Sequence, residues 1–174
     1  MQTDIRIRLA ASEDAEHLAE AGATTFHETF HESHNPADLA LYISSTYNPE
    51  KISENLTRPD VLYFLADDNG RAAGYIKLIR DVAIPEMPGA KVMELEKIYI
   101  RKSYQGTGLG LRLMQQAVAA AVQEKYEWLF LGVWQDNHRA LAFYKKCGWE
   151  IFGTRTFQLG SQVCNDYVLR LKLA

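Results

Sequence analysis

The stretch IYIRKSYQGTGLGLRLM, residues 98–114, decides the fold because it joins an apolar strand to an alanine-rich helix through closely spaced glycines. The three glycines are Gly106, Gly108 and Gly110. Such a junction points backbone N–H groups and the positive end of a helix dipole at one place, which is what a phosphate group requires. Leu111 and Arg112 stand where a P-loop needs Lys and then Ser or Thr, and the G-x-G-x-G spacing is not that of a dinucleotide-binding loop. A phosphate-binding loop of another kind, or a plain glycine-rich turn, stays open at this point.

The flanking segments predict one domain over residues 1–174 with an α+β fold (mixed α/β). Residues 4–10 alternate as a strand, Ser12 is expected to cap the first helix, and the Asn-Pro pairs at 35–36 and 48–49 each open a further short helix. Asn-Gly at 69–70 lies between two apolar stretches and predicts a β-hairpin. The predicted order is strand, helices, three strands, helix, strand, helix and two strands.

Composition excludes several classes of protein. A net charge of -3 argues against binding of nucleic acid or an anionic membrane, and no apolar run approaches the ~20 residues that span a bilayer. Two cysteines without C-x-x-C spacing predict neither a disulfide framework nor a cysteine-rich zinc site. We therefore expect a cytoplasmic protein with a small-molecule ligand and with neither nucleic acid nor membrane as a partner.

Two blocks of the chain resemble the GNAT N-acetyltransferase superfamily, whose signature is a strand, Gln or Arg, x, x, Gly, x, Gly or Ala, and a helix. QGTGLG, residues 105–110, matches the signature when Gln105 is its first position and Gly108 its first glycine. If Gly106 is taken as the first glycine, Ser103 stands at the first position, where the signature has Gln or Arg. NHRALAFYKKCGW, residues 137–149, resembles the second cofactor helix of the family, Asn-x-x-Ala-x-x-Phe-Tyr followed by Gly and an aromatic residue. The resemblance covers the chain well from about residue 61 onward. Over residues 1–60 only the order of strand and helices is similar to the family. Two stretches there, YNPE and FHETF, also resemble a bacterial polyamine acetyltransferase-like subgroup.

The resemblance implies a central, mostly antiparallel twisted sheet of about seven strands with helices on both faces, in the order β-α-α-β-β-β-α-β-α-β-β. It also implies acetyl-CoA as the acetyl donor, no metal, and a homodimer as one assembly that the last strands would support. Asn137 is expected to hold the pantetheine arm, residues 98–100 to pair their backbone with it, and Lys146 either to reach a phosphate or to be a plain surface lysine. The full set of residues expected at the acetyl-CoA site is Ile98, Tyr99, Ile100, Gln105, Gly106, Thr107, Gly108, Leu109, Gly110, Leu111, Asn137, Ala140, Tyr144 and Lys146.

Acetyl transfer from a thioester to a primary amine needs a base for the amine and an acid for the departing thiolate. Glu94 and Glu96 alternate on one strand face, and the resemblance implies that one of them, or a water they order, is the base, with Glu96 favoured. A pair of solvated carboxylates is the alternative. Tyr144 stands where family members use a tyrosine hydroxyl as the acid in direct transfer within a ternary complex. A catalytically silent acyl-CoA-binding sensor or regulator is the alternative function.

FHETFHESH, residues 26–34, contains an H-E-x-x-H pattern formed by His27, Glu28 and His31, the spacing of two zinc ligands on a helix. No third ligand pattern follows it, so a catalytic zinc site is disfavoured. The resemblance instead implies that the first helices border the acceptor, a small amine such as a polyamine or an amino acid. Glu28, Phe30 and Tyr42 are then the candidate acceptor-binding residues, with a solvated helix end as the alternative for Glu28.

Overall fold

Within residues 4–173, the part of the chain that this computed structural model describes, seven strands form one sheet. The strands are β1 (Arg6–Leu9), β2 (Val61–Asp68), β3 (Arg71–Ile79), β4 (Val92–Ile100), β5 (Trp128–Trp134), β6 (Glu150–Leu159) and β7 (Gln162–Lys172). Their order across the sheet is β1-β2-β3-β4-β5-β7-β6, and only β4 and β5 pair in parallel. The predicted mixed, mostly antiparallel sheet of about seven strands is confirmed. Residues 1–3 and 174 of the predicted domain lie outside the described range.

Five α-helices cover the two faces of this sheet in the described part of the chain. They are α1 (Ala15–Phe30), α2 (Pro36–Thr46), α3 (Pro49–Thr57), α4 (Leu109–Gln123) and α5 (His138–Lys146). Three of them lie between β1 and β2. The family order implies two helices there, whereas the helix signals before residue 60 predict three. The side chains of Asn35 and Asn48 accept hydrogen bonds from backbone N–H groups at the start of α2 and α3, at 2.9 Å each.

The predicted Ser12 cap is wrong. Ser12 begins a short 3₁₀ turn, Ser12–Asp14, and α1 begins only at Ala15. Asp14 decides the position, because its carboxylate accepts the Ala11 N–H at 2.8 Å and pairs with Arg8 of β1 at 2.8 Å. The turn is therefore fixed by an ion pair to the neighbouring strand, which a local helix signal does not contain.

Each face of the sheet has its own hydrophobic core. One core joins α4 and α5 to the sheet through residues such as Leu113, Tyr144 and Met93. The other joins α1, α2 and α3 to the opposite face, with Phe26 and Tyr75 among its buried residues. A ligand that contacts both helical layers must therefore pass through the sheet.

The β2–β3 hairpin turns at the predicted Asn-Gly pair. Asn69 has φ 52° and Gly70 has φ 89°, so both central residues are left-handed, as in a type I′ turn. The turn pairs β2 with β3, and β3 pairs on its other edge with β4.

The sheet opens at β4. This strand pairs with β5 only at Val92, Met93 and Glu94, so the edge of β4 beyond Glu94 has no strand partner on the β5 side. On its other edge the register with β3 shifts, since Lys77 pairs with Lys97 and the next residue pairs with Leu95. Glu96 is thus an extra residue in β4, and a bulge of this kind turns two neighbouring side chains to the same face.

No helix among residues 4–173 has the length and apolar character needed to cross a bilayer.

Candidate functional site

A groove of about 700 Å³ opens where β4 and β5 separate. Its walls come from both helical layers, with α4 and α5 at one end and α1, α2 and the β6–β7 hairpin at the other. The groove therefore crosses the sheet, and a molecule entering from the α4 side can meet one entering from the α1 side.

The glycine loop forms the α4 end of the groove. Gly106 and Gly108 have φ values of 78° and 85°, and a Cβ atom built on either would meet no other atom within 4 Å. Gly108 is the N-cap of α4, and the first helical bond runs from Arg112 N to Gly108 O at 3.2 Å. The N–H groups of the first helical residues therefore have no helical acceptor and border open space. This arrangement suits a phosphate anion.

Most residues expected at this end line the groove. Those in the lining are Ile98, Tyr99, Ile100, Gln105, Gly106, Gly108, Gly110, Leu111, Asn137, Ala140 and Tyr144. Thr107 lies outside it and donates its hydroxyl to Tyr104 O at 2.6 Å. Leu109 is buried in the α4 core, and Lys146 is exposed on the last residue of α5. Asn137 also caps α5, with its Oδ1 accepting the Ala140 N–H at 3.2 Å.

Arg139 was missed by the sequence reasoning. Its guanidinium donates a hydrogen bond to the side-chain oxygen of Gln105, so a cation stands between the glycine loop and α5. Arg139 lines the groove, whereas Lys146 does not. Arg139 could have been found from the sequence, because it lies two residues after Asn137 in the second motif block.

Tyr144 of α5 lines the groove and is buried. Its ring packs against Phe143 and Trp149, with centroids 5.7 and 5.9 Å away. Burial raises the pKa of the Tyr144 hydroxyl well above its ordinary value. The hydroxyl is therefore protonated at neutral pH and available as a proton donor.

Glu94 and Glu96 both line the groove but differ in their partners. Glu96 Oε1 accepts from Lys77 Nζ at 2.9 Å and lies 3.9 Å from Lys97 Nζ. Among the described residues Glu94 has no such ion pair. Burial, followed by repulsion from Glu96, raises the pKa of Glu94 to about 6.

The α1 end of the groove has aromatic walls and a second unpaired carboxylate. The aromatic residues are Phe26, Phe30, Tyr42, Trp134 and Phe157. Asp166 Oδ2 lies 3.6 Å from the point where a Cβ on Gly132 would stand, and burial raises the pKa of this carboxyl group. No salt bridge or side-chain hydrogen bond holds Asp166 within residues 4–173.

The sequence reasoning named Phe30 and Tyr42 at this end of the groove but missed its polar residues Asp166 and Arg155. Asp166 and Arg155 are brought together by the antiparallel pairing of β6 and β7. Arg155 pairs with Glu86 at 3.6 Å, and its guanidinium lies 4.7 Å from the Phe130 ring centroid. No local motif marks these positions, because the pairing that assembles them is tertiary.

Of the expected acceptor residues, Phe30 and Tyr42 line the groove and Glu28 does not. Glu28 Oε2 instead accepts the backbone N–H of Lys102 at 2.9 Å, in the turn that leads from β4 to the glycine loop. Glu28 therefore ties α1 to the loop.

The H-E-x-x-H histidines stack on each other, with His27 and His31 ring centroids 4.9 Å apart. His31 Nδ1 lies 2.9 Å from His27 O, the geometry of a hydrogen bond in which the ring nitrogen donates. Across residues 4–173 no group of three His, Cys, Asp or Glu side chains is placed to hold a metal ion. The pattern has the zinc spacing without the third ligand.

Comparison with known proteins gives consistent matches over nearly the whole chain. The model of the acetyltransferase (GNAT) family matches residues 15–149, a range that contains both motif blocks. An uncharacterized N-acetyltransferase of Lactobacillus delbrueckii subsp. lactis is 31% identical over 171 residues, which are 98% of this chain and 99% of the relative. An uncharacterized N-acetyltransferase of Mycobacterium tuberculosis is 36% identical over 156 residues, which are 90% of this chain and 96% of the relative.

A solved structure shares the fold. It is the PaiA N-acetyltransferase from Thermoplasma acidophilum in complex with coenzyme A, which superposes with a TM-score of 0.81 at 23% identity. The superposition covers 97% of this chain and 99% of that chain.

Proposed function

Because the chain belongs to the acetyltransferase (GNAT) family, as its two motif blocks predicted, we propose that it moves the acetyl group of acetyl-CoA to a small primary amine by direct transfer. One observation carries the proposal. The groove crosses the sheet at the β4–β5 opening, with open backbone N–H groups at one end and an unpaired carboxylate with a raised pKa inside. Donor and acceptor can therefore enter from opposite faces and meet between the strands.

The α4 end fits the phosphates and the pantetheine arm of acetyl-CoA. The N–H groups that open α4 face space that the left-handed Gly106 and Gly108 leave free, and Arg139 adds a positive charge. The unpaired edge of β4 offers residues 98–100 for backbone hydrogen bonds to an extended amide chain. That the PaiA structure of the same fold contains coenzyme A supports this assignment. Acetyl-CoA supplies the acetyl group as a thioester.

Glu94 is our candidate for the base. A base must be largely ionised at neutral pH and still hold a proton well enough to take it from an ammonium group, and a pKa of about 6 meets both needs. Glu96, which the sequence favoured slightly, is committed to Lys77 through a 2.9 Å ion pair, and that cation competes with the proton. Glu94 accepts the proton of the amine directly or through a water.

Tyr144 is our candidate for the acid. It lines the groove, and its hydroxyl stays protonated because burial raises its pKa. Tyr144 donates this proton to the departing thiolate. No covalent enzyme intermediate is required, because the amine itself attacks the thioester carbonyl.

The α1 end favours a cationic acceptor. In the backbone pairing of β4 with β5, Glu94 lies opposite Phe130. The Asp166 carboxylate lies over Gly132, two residues further along β5. This offset is about 7 Å along the strand direction. Among the described residues neither carboxylate has an ion pair within 4 Å, and Arg155, which also lines this end and partly offsets the charge of Glu94, pairs with Glu86 at 3.6 Å. A diamine presents positive charge to both carboxylates, while the carboxylate of an amino acid would face them unfavourably.

Aromatic side chains complete the acceptor wall. Phe30 and Tyr42 lie close to Phe26, with ring centroids 4.5 and 4.7 Å from it. Such a wall packs against methylene groups and attracts ammonium groups through its ring faces. Polyamines and related diamines are therefore our proposed acceptor class, and the attraction is assigned to Glu94 and Asp166 because Glu28 is engaged outside the groove.

A thiol-release assay with paired amines tests the acceptor assignment. Putrescine and butylamine share a four-carbon chain, and only putrescine carries a second cation. We expect Asp166→Asn to raise the KM for putrescine about tenfold, the effect of losing one charged hydrogen bond, and to leave the KM for butylamine unchanged. Equal changes for both amines would contradict the role of Asp166. Acetyl-CoA binding without thiol release by any amine would instead support the silent binding module.

A further inference from the structure

Lys97 is a partly buried lysine on the wall of the groove that we propose for acetyl transfer. Its side chain is 11% exposed and belongs to the groove lining. The bulge in β4 places Lys97 on the same face as Glu96, at the strand edge that β5 has left. The chain thus carries a primary amine of its own in the acceptor part of the site.

The contacts of Lys97 leave its amino group loosely held. Nζ lies 3.9 Å from Glu96 Oε1 and 5.2 Å from the Tyr47 ring centroid. Lys77, on the neighbouring strand, takes the closer position on Glu96 at 2.9 Å and is not part of the groove lining. Two lysines therefore share one carboxylate, and Lys97 has the weaker share.

The environment also favours the neutral form of this amine. Burial lowers the pKa of Lys97 below its ordinary value, although the charges of Glu96 and Glu94 oppose the effect. A neutral amine is the form that attacks a thioester, and exposed lysines hold a larger protonated fraction at the same pH.

We propose that Lys97 is an internal acetyl acceptor, so that the protein acetylates this side chain from acetyl-CoA when no amine substrate occupies the groove. The inference rests on the proposed function, because it uses the same donor and the same acid and base. The Lys97 Nζ forms a bond to the acetyl carbonyl carbon, and the bond from that carbon to sulfur breaks. Glu94 takes the proton that Nζ loses, and Tyr144 gives its proton to the thiolate, so the products are acetyl-lysine and the free thiol.

Acetylation would change the groove in two ways. It converts the basic amine of Lys97 beside Glu96 into an amide that cannot be protonated, and it adds an acetamide group to the wall where the acceptor enters. We therefore expect amine turnover to fall as Lys97 becomes acetylated. An amine substrate should protect Lys97, because both compete for the same acetyl group.

The experiment is a time course of the purified full chain with acetyl-CoA, read by intact mass and by peptide mapping. Putrescine is the competing amine, and Lys97→Arg is the variant that lacks the nucleophile. Two lysines serve as internal references: Lys51, whose side chain is 53% exposed, reports uncatalysed acetylation, and Lys77 reports a buried lysine outside the groove. Tyr144→Phe separates catalysed from uncatalysed labelling.

The expected result is one acetyl group per chain, stable to hydroxylamine and mapped to Lys97, with Lys77 unmodified. Labelling of Lys97 should slow about a hundredfold in Tyr144→Phe, the size expected for loss of a general acid, while the slow labelling of Lys51 stays the same. Putrescine should suppress the labelling of Lys97 alone. Labelling of Lys97 that matches Lys51, or that survives Tyr144→Phe, would overturn the inference.

Failure of the inference is distinguishable from failure of the proposed function. If putrescine or another amine releases thiol, and Lys97 stays unmodified in the samples without amine, the inference is wrong and the proposed function holds. If neither an amine nor Lys97 is acetylated, both are wrong.

Discussion

Replacing Glu94 by Gln tests the proposed base with little change in shape. The amide keeps the size and hydrogen-bonding capacity of the side chain but cannot accept the proton of the amine. General base catalysis is worth a factor of roughly a hundred to ten thousand, so we expect kcat to fall by at least about a hundredfold. The affinity for acetyl-CoA should be unchanged, because Glu94 is remote from the glycine loop in the groove.

The pKa of Glu94 sets the size of the pH effect. With a value of about 6, the carboxylate is about nine-tenths ionised at pH 7 and about one-tenth ionised at pH 5. The activity that depends on it should fall about tenfold between these pH values. Activity that depends on a glutamate with the ordinary pKa of 4.5 would fall by only about a quarter over the same range.

The assay is thiol release at saturating acetyl-CoA, with kcat/KM for the amine measured between pH 5 and pH 8. Glu96→Gln is the matched control on the same strand face. We expect a profile that bends near pH 6 in the native protein, bends at a lower pH in Glu96→Gln because the repulsion from Glu96 is lost, and has no bend in Glu94→Gln. A bend that persists in Glu94→Gln would refute the assignment of the base.

The same substitution should stabilise the protein at neutral pH. The folded state raises the pKa of Glu94, so ionisation of this group favours the unfolded state. The penalty is absent below about pH 4, grows as pH rises from about 4.5 to 6, and is complete above that. A shift of this size on a partly exposed group corresponds to about 1–2 kcal/mol. Urea unfolding of Glu94→Gln should show this gain at pH 7 and none at pH 4, and an equal gain at both pH values would contradict the burial argument.

Three further changes test other parts of the site. Tyr144→Phe should lower kcat about a hundredfold or more with an unchanged Kd for acetyl-CoA, and calorimetry beside steady-state kinetics would show whether turnover is retained. Gly108→Ala forces a side chain onto a residue with φ 85°, which costs about 1 kcal/mol; we expect a lower Tm and a larger Kd for acetyl-CoA, and unchanged values would count against the loop geometry. Glu28→Ala removes the acceptor of the Lys102 N–H, so it should weaken acetyl-CoA binding and leave the KM for the amine unchanged; the opposite pattern would favour the reading of Glu28 as an acceptor residue.

Much of the fold was predictable because its signals are local. The caps at Asn35 and Asn48 and the turn at Asn69 and Gly70 depend on a few neighbouring residues, and the structure has all of them. The glycine loop is local in the same sense. The start of the first helix was predicted wrongly at Ser12, because the ion pair between Asp14 and Arg8 of the neighbouring strand sets where the helix begins.

The site was predictable only in part, for a physical reason. The α4 end is built from two continuous motif blocks, so the sequence shows it. The α1 end depends on a bulge in β4 and on the pairing of β6 with β7, which place Lys97 and Asp166 in the groove. Glu94 and Glu96 look alike in the sequence, and they differ in the burial of Glu94 and in the position of Lys77 beside Glu96. Strand register is a tertiary property, and a single sequence does not display it.

Thiol release from acetyl-CoA, followed across a panel of amines at fixed enzyme concentration, is the most direct test of the proposed acetyl transfer. Beyond the one thiol per chain that acetylation of Lys97 would release, we predict turnover that requires an amine, saturates with its concentration, is fastest with diamines and yields the acetylated amine by mass spectrometry. Acetyl-CoA that binds with no amine-dependent release would contradict the transfer reaction.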